Sequence, residues 1–314
     1  MEGLEDLMKK KLIMDIDTGI DDALAIAYAV RSNQFDILGF TTNFGNVPLE
    51  IATRNTHFVL EKLGQSTPIY PGSSLPFHKE SYDLTVAKHI HGEDGLGNTL
   101  KSNEATAVTP DQATEFIIEK LHAYPNEITL LFVGPLTNLA KVIEKDRTAA
   151  EKAANIVVMG GAVTVPGNVR PHAEANIFSD PEAAKFVMES GVRITLVGLD
   201  VTMQTLLPKK NIDAWYDTGS EVSDFFADIS SHYVTAYEEF KPGIGGCGLH
   251  DPLAVGVIID PSFVQTKTMA LDVDIDGDTI GITKPTEERK PTIQVCLEVE
   301  KERFLQHFLD TLKF

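Results

Sequence analysis

The stretch KLIMDIDTGIDDALAI, residues 11–26, places four aspartates at the junction of two apolar segments. The first segment, KLIMDI, is short and rich in isoleucine, leucine and methionine, which is typical of a buried strand. Asp21 and Asp22 follow a glycine and open an alanine-rich segment, where acidic side chains favour the start of a helix. The stretch therefore predicts a strand that ends beside Asp17, a short polar loop and a helix.

The same unit, an apolar run followed by a polar loop and a helical pattern, recurs along the chain. Such alternation is typical of a mostly parallel sheet that helices cover on both faces. We therefore predict a Rossmann-like α/β fold, with residues 1–314 forming a single domain. The predicted strands are 11–16, 35–43, 127–134, 154–162 and 192–202, and the predicted helices among them are 21–32, 48–64, 136–146 and 180–191.

The C-terminal third of the sequence follows a different pattern. The predicted elements are an amphipathic helical segment within 211–250, clearest at 221–240, a glycine-rich break at 241–252, a hairpin at 268–285 and a closing helix at 300–314. Inside the hairpin, DVDIDGD resembles the start of a calcium-binding EF-hand loop, but its twelfth position is Thr283 instead of glutamate. Leu271 and Val273 alternate with aspartates there, which indicates a strand with one solvated face.

The composition excludes several classes of partner. The net charge is −19, with 27 basic and 46 acidic residues, so neither nucleic acid nor an anionic membrane is an expected partner. Cys247 and Cys296 are the two cysteines, too few for a disulfide framework or a zinc ribbon. The sequence has no apolar run long enough to span a membrane, and its N-terminus lacks a signal-peptide core. We therefore expect a cytoplasmic protein.

The aspartate cluster has two readings from residue chemistry alone. Carboxylates at a helix start can cap the helix and complement its dipole, which accounts for one or two of the four. A hard divalent cation would compensate the whole set, because calcium and magnesium prefer oxygen ligands. In open α/β sheets ligands bind beyond the carboxyl ends of the strands. The polar positions expected there are 15–22, 42–46, 133–138, 159–168, Asp200 and His250–Asp251.

Two enzyme families have motifs similar to this pattern. DIDTG resembles the first motif of haloacid dehalogenase-like phosphatases, but that comparison leaves Asp21 and Asp22 unexplained. DIDTGIDDALAI also resembles the D-x-D-x-G-x-D-D signature of the inosine-uridine preferring nucleoside hydrolases. Four later blocks resemble the same family in order along residues 12–258, namely TTNFGNVPLEIATRN, LLFVGPLTNLA, VVMGGAVTVPGNVRPHAEANIFSDPEAA and GLHDPLAV.

The nucleoside hydrolase resemblance implies a calcium cofactor and a ribonucleoside substrate. The metal ligands it implies are the carboxylates of Asp17, Asp22 and Asp251 and the backbone carbonyl of Val133. It also implies that Asp17 is the general base that accepts the proton of the attacking water. Ribose recognition would involve Asp21, Asn46 and Asn176 near the 2′ and 3′ hydroxyls, Asn168 and Glu174 near the 5′ hydroxyl, and Met159 beside the sugar.

The resemblance places two histidines on the nucleobase side, His250 and His91, as candidates that help the base to leave. Tyr233 and Tyr237 are four residues apart on a predicted helix, so they share one face and could stack on the base or relay a proton. Trp215 is the only tryptophan, which excludes the paired indoles of purine-specialised members. The two histidines instead favour the inosine-uridine or pyrimidine-preferring type of this family. His89 and His172 are predicted to be peripheral.

Two alternatives to this enzyme stay open on the sequence alone. One is a magnesium-dependent phosphatase of the haloacid dehalogenase type, with a covalent intermediate on Asp15. The other is a nucleoside-binding protein that has lost turnover. Members of the resembled family are dimers or tetramers, which implies a homodimer or homotetramer here.

Overall fold

The computed structural model describes residues 9–82, 85–100 and 105–313. Residues 1–8, part of the N-terminus used to exclude a signal peptide, lie outside the described residues. The strands are β1 Lys10–Ile16, β2 Phe35–Thr42, β3 Ile69–Pro71, β4 Ile128–Phe132, β5 Asn155–Met159, β6 Ile194–Val197, β7 Leu206–Pro208, β8 Gly246–Gly248, β9 Val264–Met269, β10 Leu271–Val273, β11 Thr283–Pro285 and β12 Ile293–Val299.

Helices cover the strands on both faces of the main sheet. They are α1 Ile20–Arg31, α2 Leu49–Lys62, α3 Thr85–His91, α4 Gln112–Ala123, α5 Thr137–Ala150, α6 Ala175–Ser179, α7 Pro181–Glu189, α8 Leu199–Thr202, α9 Lys209–Tyr216, α10 Glu221–Phe240, α11 His250–Ile259 and α12 Lys301–Thr311. Among the residues described, no helix has both the length and the apolar composition that crossing a membrane requires.

The central sheet has the order β3-β2-β1-β4-β5-β6-β12-β9 within the described residues. Its neighbouring strands pair in parallel, except for β9, which runs antiparallel to β12. The predicted α/β class with a mostly parallel sheet is therefore confirmed. The predicted hairpin at 268–285 is also confirmed, because β10 and β11 pair in an antiparallel manner.

The period of the strands divides the core into two layers. Leu12, Met14 and Ile16 of β1 face one cluster of buried side chains, which includes α1 and α11, whereas Ile13 faces the other. This alternation follows from the two-residue period of a strand. Both faces are buried, so the polar residues that follow β1 emerge at the carboxyl edge of the sheet.

The strand predicted at the end of the parallel series is the one that differs most from the structure. The predicted strand 192–202 stops at Val197, and residues 199–202 form α8. The Asp200 carboxylate accepts hydrogen bonds from the Val163 and Thr164 backbone nitrogens at 2.9 and 2.7 Å. Asp200 therefore turns away from the sheet to hold the loop after β5, and the chain after Gly198 coils into a helical turn.

Candidate active site

The loop between β1 and α1 is closed by one carboxylate. Asp22 accepts hydrogen bonds from the Gly19 nitrogen at 2.9 Å and from the Asp17 nitrogen at 3.1 Å. An acidic residue in the first turn satisfies backbone N–H groups that the helix leaves unpaired. The loop thus holds Asp17, Asp21 and Asp22 together at the carboxyl end of β1.

The loop after β2 binds the same carboxylates. The Asn46 backbone nitrogen donates to Asp17 Oδ2 at 2.6 Å, and its side-chain nitrogen donates to Asp22 Oδ2 at 3.1 Å. Gly45 has φ +155°, and a Cβ added there would lie 2.0 Å from Asp17 Oδ2. The close approach of this loop to Asp17 therefore requires glycine at position 45.

Asp251, at the start of α11, lies close to the carboxylates of the β1–α1 loop. One carboxylate oxygen from each of Asp21, Asp22 and Asp251 lies within 4.8 Å of the other two, and the three residues are buried. The predicted metal ligand Asp17 adjoins this group through its backbone contact with Asp22. On the Val133 side, a Cβ added at Gly134 would lie 2.9 Å from Asp17 Oδ1.

These carboxylates lack neutralising partners in the described part of the chain. Burial, followed by the charges of Asp21, Asp22, Asp17 and Glu174, raises the pKa of Asp251 well above its usual value. Burial and the charge of Asp22 likewise raise the pKa of Asp21 to about 8. Within the described residues, Oδ1 of Asp17 and Oδ1 of Asp21 are buried without a hydrogen-bond partner.

A hard divalent cation fits this donor set. It would compensate the clustered negative charge and give the orphaned oxygens a partner, and the set contains oxygen donors without any thiolate or imidazole. Because the three grouped carboxylates include Asp21, that residue is a further candidate ligand beside the predicted set. The residues present therefore fit the metal that the sequence implied.

The predicted sugar-side residues approach the cluster from the loops after β4 and β5. Asn176 donates its side-chain N–H groups to the carbonyls of Val133 at 2.7 Å and Met159 at 3.2 Å. Glu174 caps α6 by accepting from the backbone nitrogens of Asn176 and Ile177 at 2.9 and 3.1 Å. Asn168 is exposed, and its side chain accepts from the Ala175 nitrogen at 3.0 Å, so it lies at the rim.

His91, the last residue of α3, lies against the start of α1. Its Nδ1 accepts the Ile20 backbone N–H at 3.1 Å, so a neutral ring carries its proton on Nε2. Burial, followed by the charges of His232 and His250, lowers the pKa of His91 to about 3. His91 is therefore a neutral N–H donor at physiological pH, and its ring lies 5.4 Å from the ring of Tyr233.

Tyr237, His250 and Thr202 form a hydrogen-bonded chain, and the ring of Tyr233 packs against that of Tyr237. The Tyr237 hydroxyl lies 2.5 Å from His250 Nε2, and the Thr202 hydroxyl lies 2.7 Å from His250 Nδ1. The Tyr233 ring lies 4.9 Å from the Tyr237 ring, and burial, followed by the charge of Asp21, raises the pKa of Tyr233 well above its usual value. Burial lowers the pKa of His250 to about 4, so this imidazole is also neutral at pH 7. The chain connects α10, α11 and α8, and it adjoins the aspartate cluster because His250 directly precedes Asp251.

The residues predicted to be peripheral lie away from this cluster. His89 pairs with Glu239 at 2.9 Å near the surface, and His172 lies 3.0 Å from the Asp278 carbonyl. Trp215 packs in the hydrophobic core. The EF-hand-like hairpin uses Asp272 and Asp274 in ion pairs with lysine and arginine side chains.

One partner of the site, Thr202, was missed from the sequence. Thr202 follows β6 closely, but Asp200 was the polar residue predicted for that strand end. Asn138 donates to Asp15 Oδ2 at 2.7 Å and to the Thr42 carbonyl at 3.1 Å, which ties the ends of β1 and β2 together. Asn138 is the last of the positions 133–138 that the sequence placed at this edge of the sheet.

The comparisons with known proteins agree with this geometry. The sequence pattern of the family described as "Inosine-uridine preferring nucleoside hydrolase" matches residues 12–306. The chain belongs to this nucleoside hydrolase family. It is 38% identical over 275 residues to "Uridine nucleosidase 1" of Arabidopsis thaliana, covering 87% of this chain and 81% of that protein.

Further relatives include a bacterial enzyme and a solved structure. The chain is 36% identical over 270 residues to a "Pyrimidine-specific ribonucleoside hydrolase" of Escherichia coli, covering 86% of this chain and 84% of that protein. The structure of a "Purine-Preferring Ribonucleoside Hydrolase" from Gardnerella vaginalis is similar with a TM-score of 0.91 and 38% identity, covering 96% of this chain and 98% of that one.

Family membership decides between the alternatives left open by the sequence. The nucleoside hydrolase prediction is confirmed over the haloacid dehalogenase-like phosphatase and the inactive binding protein. The chain is an enzyme that hydrolyses the N-glycosidic bond of ribonucleosides.

A divalent cation bound at this cluster should stabilise the protein, and more so at higher pH, with calcium as the probe. The pKa values of these carboxyls are raised in the metal-free folded protein, so the folded protein retains protons that the unfolded chain has lost. The free energy of unfolding of the metal-free protein therefore falls as pH rises through the folded pKa, which is about 8 for Asp21. At about 100 times its dissociation constant, calcium should raise Tm on the order of 5 °C.

Differential scanning fluorimetry at pH 6 and pH 9, with calcium or with a chelator, measures this effect. The rise on adding calcium should be larger at pH 9 and should be lost in Asp251→Asn. An equal rise in Asp251→Asn would contradict a metal site at this cluster.

Proposed function

We propose that this chain is a calcium-dependent hydrolase that cleaves uridine and inosine into the free base and ribose. The observation that carries the proposal is the contact between two clusters. Buried carboxylates with orphaned oxygens lie beside the hydrogen-bonded side chains of Tyr237 and His250, and His250 directly precedes Asp251 in the chain. The carboxylates can bind the sugar and the attacking water, and the tyrosine and histidine side chains can hydrogen-bond to the departing base.

The reaction needs one bond to form and one to break. The oxygen of water bonds to C1′ of the ribose while the bond from C1′ to the base nitrogen breaks, through a state in which the sugar carries positive charge. Asp17 accepts the proton of the water. Its Oδ1 suits this role because it is buried and has no competing donor among the described residues, whereas Oδ2 is held by Asn46.

Calcium would be held by Asp17, Asp22, Asp251 and the Val133 carbonyl, with Asp21 as a further candidate. When bound, it supplies orientation of the water and of the ribose diol, together with a modest lowering of the pKa of that water. The surrounding carboxylates stabilise the positive charge that develops on the sugar.

The proposed sugar contacts follow from groups that point into the cluster. Asp21 and the amides of Asn46 and Asn176 bind the 2′ and 3′ hydroxyls, and Met159 packs beside the ring. Glu174 and Asn168 bind the 5′ hydroxyl through oxygen lone pairs that their backbone contacts leave free. A buried site built for two hydroxyls leaves polar groups unpaired when one is missing, so 2′-deoxyribonucleosides should be poor substrates.

The base leaves with a proton from neutral donors. The Tyr237 hydroxyl, which His250 and Thr202 hold in place, gives this proton to the base while Asp17 takes one from the water, so the proton count of the enzyme is unchanged. Because burial lowers the pKa of both imidazoles, His91 and His250 act at pH 7 as neutral hydrogen-bond partners, with His91 offering Nε2–H to the base. The donors would hydrogen-bond to the polar edge of a uracil or hypoxanthine ring.

The relatives are named for different nucleobases. Arabidopsis and Escherichia coli relatives are named for uridine and for pyrimidines, whereas the Gardnerella structure is named for purines. We propose uridine and inosine, because Trp215 is in the core and the base side offers polar histidine and tyrosine groups instead of stacked indoles.

We also propose a single domain, self-association and a cytoplasmic location. One sheet that includes both β1 and β12 supports a single domain. Cys247 and Cys296 are buried and unpaired, which suits a reducing compartment. A homodimer or homotetramer is proposed from the family resemblance.

Ribose release from uridine, inosine, cytidine and 2′-deoxyuridine tests the proposed function. The calcium-loaded enzyme should release ribose from uridine and inosine, with 2′-deoxyuridine slower by about 10⁴-fold. A chelator should abolish release, and restored calcium should recover it. Calcium-independent release, or similar rates on uridine and 2′-deoxyuridine, would contradict the proposal.

Tyr237→Phe tests the proposed path of the proton to the base. It removes only the hydroxyl that contacts His250, so kcat for uridine should fall by roughly 10²-fold. Cleavage of p-nitrophenyl riboside should change little, because p-nitrophenolate leaves without a proton. Tyr216→Phe is the matched control, since the Tyr216 hydroxyl contacts Asp228 on the surface. Equal losses on both substrates would exclude Tyr237 from the proton path.

A further inference from the structure

Asn55 is a buried asparagine of α2 that connects two loops of the site. Its side-chain nitrogen donates to the backbone carbonyl of Thr18 at 2.9 Å and to that of Asp94 at 2.9 Å. An amide NH₂ group has two hydrogens, so these bonds use its whole donor capacity. Thr18 lies directly after Asp17 in the aspartate loop, and Asp94 lies three residues after His91.

The Asp94 side chain organises the loop that begins at His91. Its carboxylate accepts the backbone N–H groups of Leu96 at 2.7 Å, Asn98 at 2.8 Å and Leu100 at 2.9 Å. The Gly97 nitrogen also donates to the His91 carbonyl at 2.8 Å. A bond that fixes the Asp94 carbonyl therefore fixes residues 91–100 as a unit.

The environment of Asn55 is built around these two bonds. Its side-chain oxygen accepts from Arg54 Nη2 at 2.8 Å and Nε at 3.1 Å, so its acceptor is also used. Gly95 has φ +79°, and a Cβ added there would lie 2.8 Å from Asn55 Nδ2 and 2.6 Å from Val47 Cγ1. The loop thus approaches Asn55 more closely than a side chain at position 95 would allow.

We infer that Asn55 is a positioning residue that holds the His91 loop in register with the aspartate loop. His91 Nδ1 already accepts the Ile20 N–H, which is one tie between the loops. Asn55 supplies the second tie on the far side of the loop, so together they orient Nε2–H of His91 toward the base. The role of this orientation in turnover rests on the proposed function.

Asn55→Asp tests this role with almost no change of shape. The substitution replaces the NH₂ donor by a carboxylate oxygen, which would face the carbonyl oxygens of Thr18 and Asp94. Gly95→Ala breaks the same contact from the other side. Thr56→Val is the matched control, because the Thr56 hydroxyl contacts the Thr18 hydroxyl at 2.7 Å and the Ala52 carbonyl at 2.8 Å, both away from residues 91–100.

Two readouts are measured on the calcium-loaded, full-length protein. Hydrogen exchange at residues 96–100 should be at least about tenfold faster in Asn55→Asp and Gly95→Ala, and unchanged in Thr56→Val. The kcat for uridine should fall about tenfold or more in the first two variants, with p-nitrophenyl riboside kept within about threefold. A purely structural role would lower both activities together.

The inference is overturned if exchange of residues 96–100 stays at the wild-type rate in Asn55→Asp and Gly95→Ala. It is also overturned if both substrates lose activity equally, or if Thr56→Val reproduces the pattern. Failure of the proposed function has a different signature, because wild-type protein would then cleave neither uridine nor p-nitrophenyl riboside, while the exchange measurement would still decide whether Asn55 fixes the loop.

Discussion

The structure depends on keeping several carboxylates buried together at one edge of a parallel sheet. Burial and like charge both oppose ionisation of Asp17, Asp21, Asp22 and Asp251, and the pKa values of all four are raised. Hydrogen bonds offset part of the unfavourable free energy of burying these like charges. Backbone N–H groups and a side-chain amide donate to Asp22 and to one oxygen of Asp17. A hard cation bound among these carboxylates would neutralise their negative charge, and its binding would stabilise the folded protein.

The buried acids of this protein divide into two kinds. Asp94, Glu174 and Asp200 spend their oxygens on backbone N–H groups and act as anchors for loops. Asp17 and Asp21 each keep a buried oxygen that has no partner in the described part of the chain. Unsatisfied buried polar atoms are unfavourable for folding, and they concentrate where a protein meets its ligand. The orphaned oxygens of Asp17 and Asp21 therefore support the proposed site, to which Glu174 is proposed to add a contact with the 5′ hydroxyl.

The local sequence was enough to predict the elements that have a strong period. β1, α1 and α10 lie close to their predicted bounds, because apolar spacing and flanking glycines determine them. The end of β6 could not be predicted, since Asp200 is drawn away by backbone nitrogens of a loop about 36 residues earlier in the chain. Strands β9 and β12 were not predicted, and β9 has a mostly polar, exposed sequence that gives little hydrophobic signal.

The site shows the same division between local and long-range information. The aspartates of residues 15–22 were visible because four acids in eight positions need an explanation. The partners Thr202 and Asn55 act through hydrogen bonds to segments that are distant in the sequence, and the local pattern does not reveal these contacts. The neutral state of His91 and His250 likewise depends on burial, which only the folded chain supplies.

Calorimetric titration of the metal-free protein with calcium tests the central claim most directly, because it asks whether the buried carboxylates form one cation site. Measured at pH 7 in two buffers of different ionisation enthalpy, it should give one calcium per chain with release of protons from the raised carboxyls. Asp251→Asn should weaken the binding strongly. Absence of calcium binding, or binding that Asp251→Asn leaves unchanged, would contradict the account.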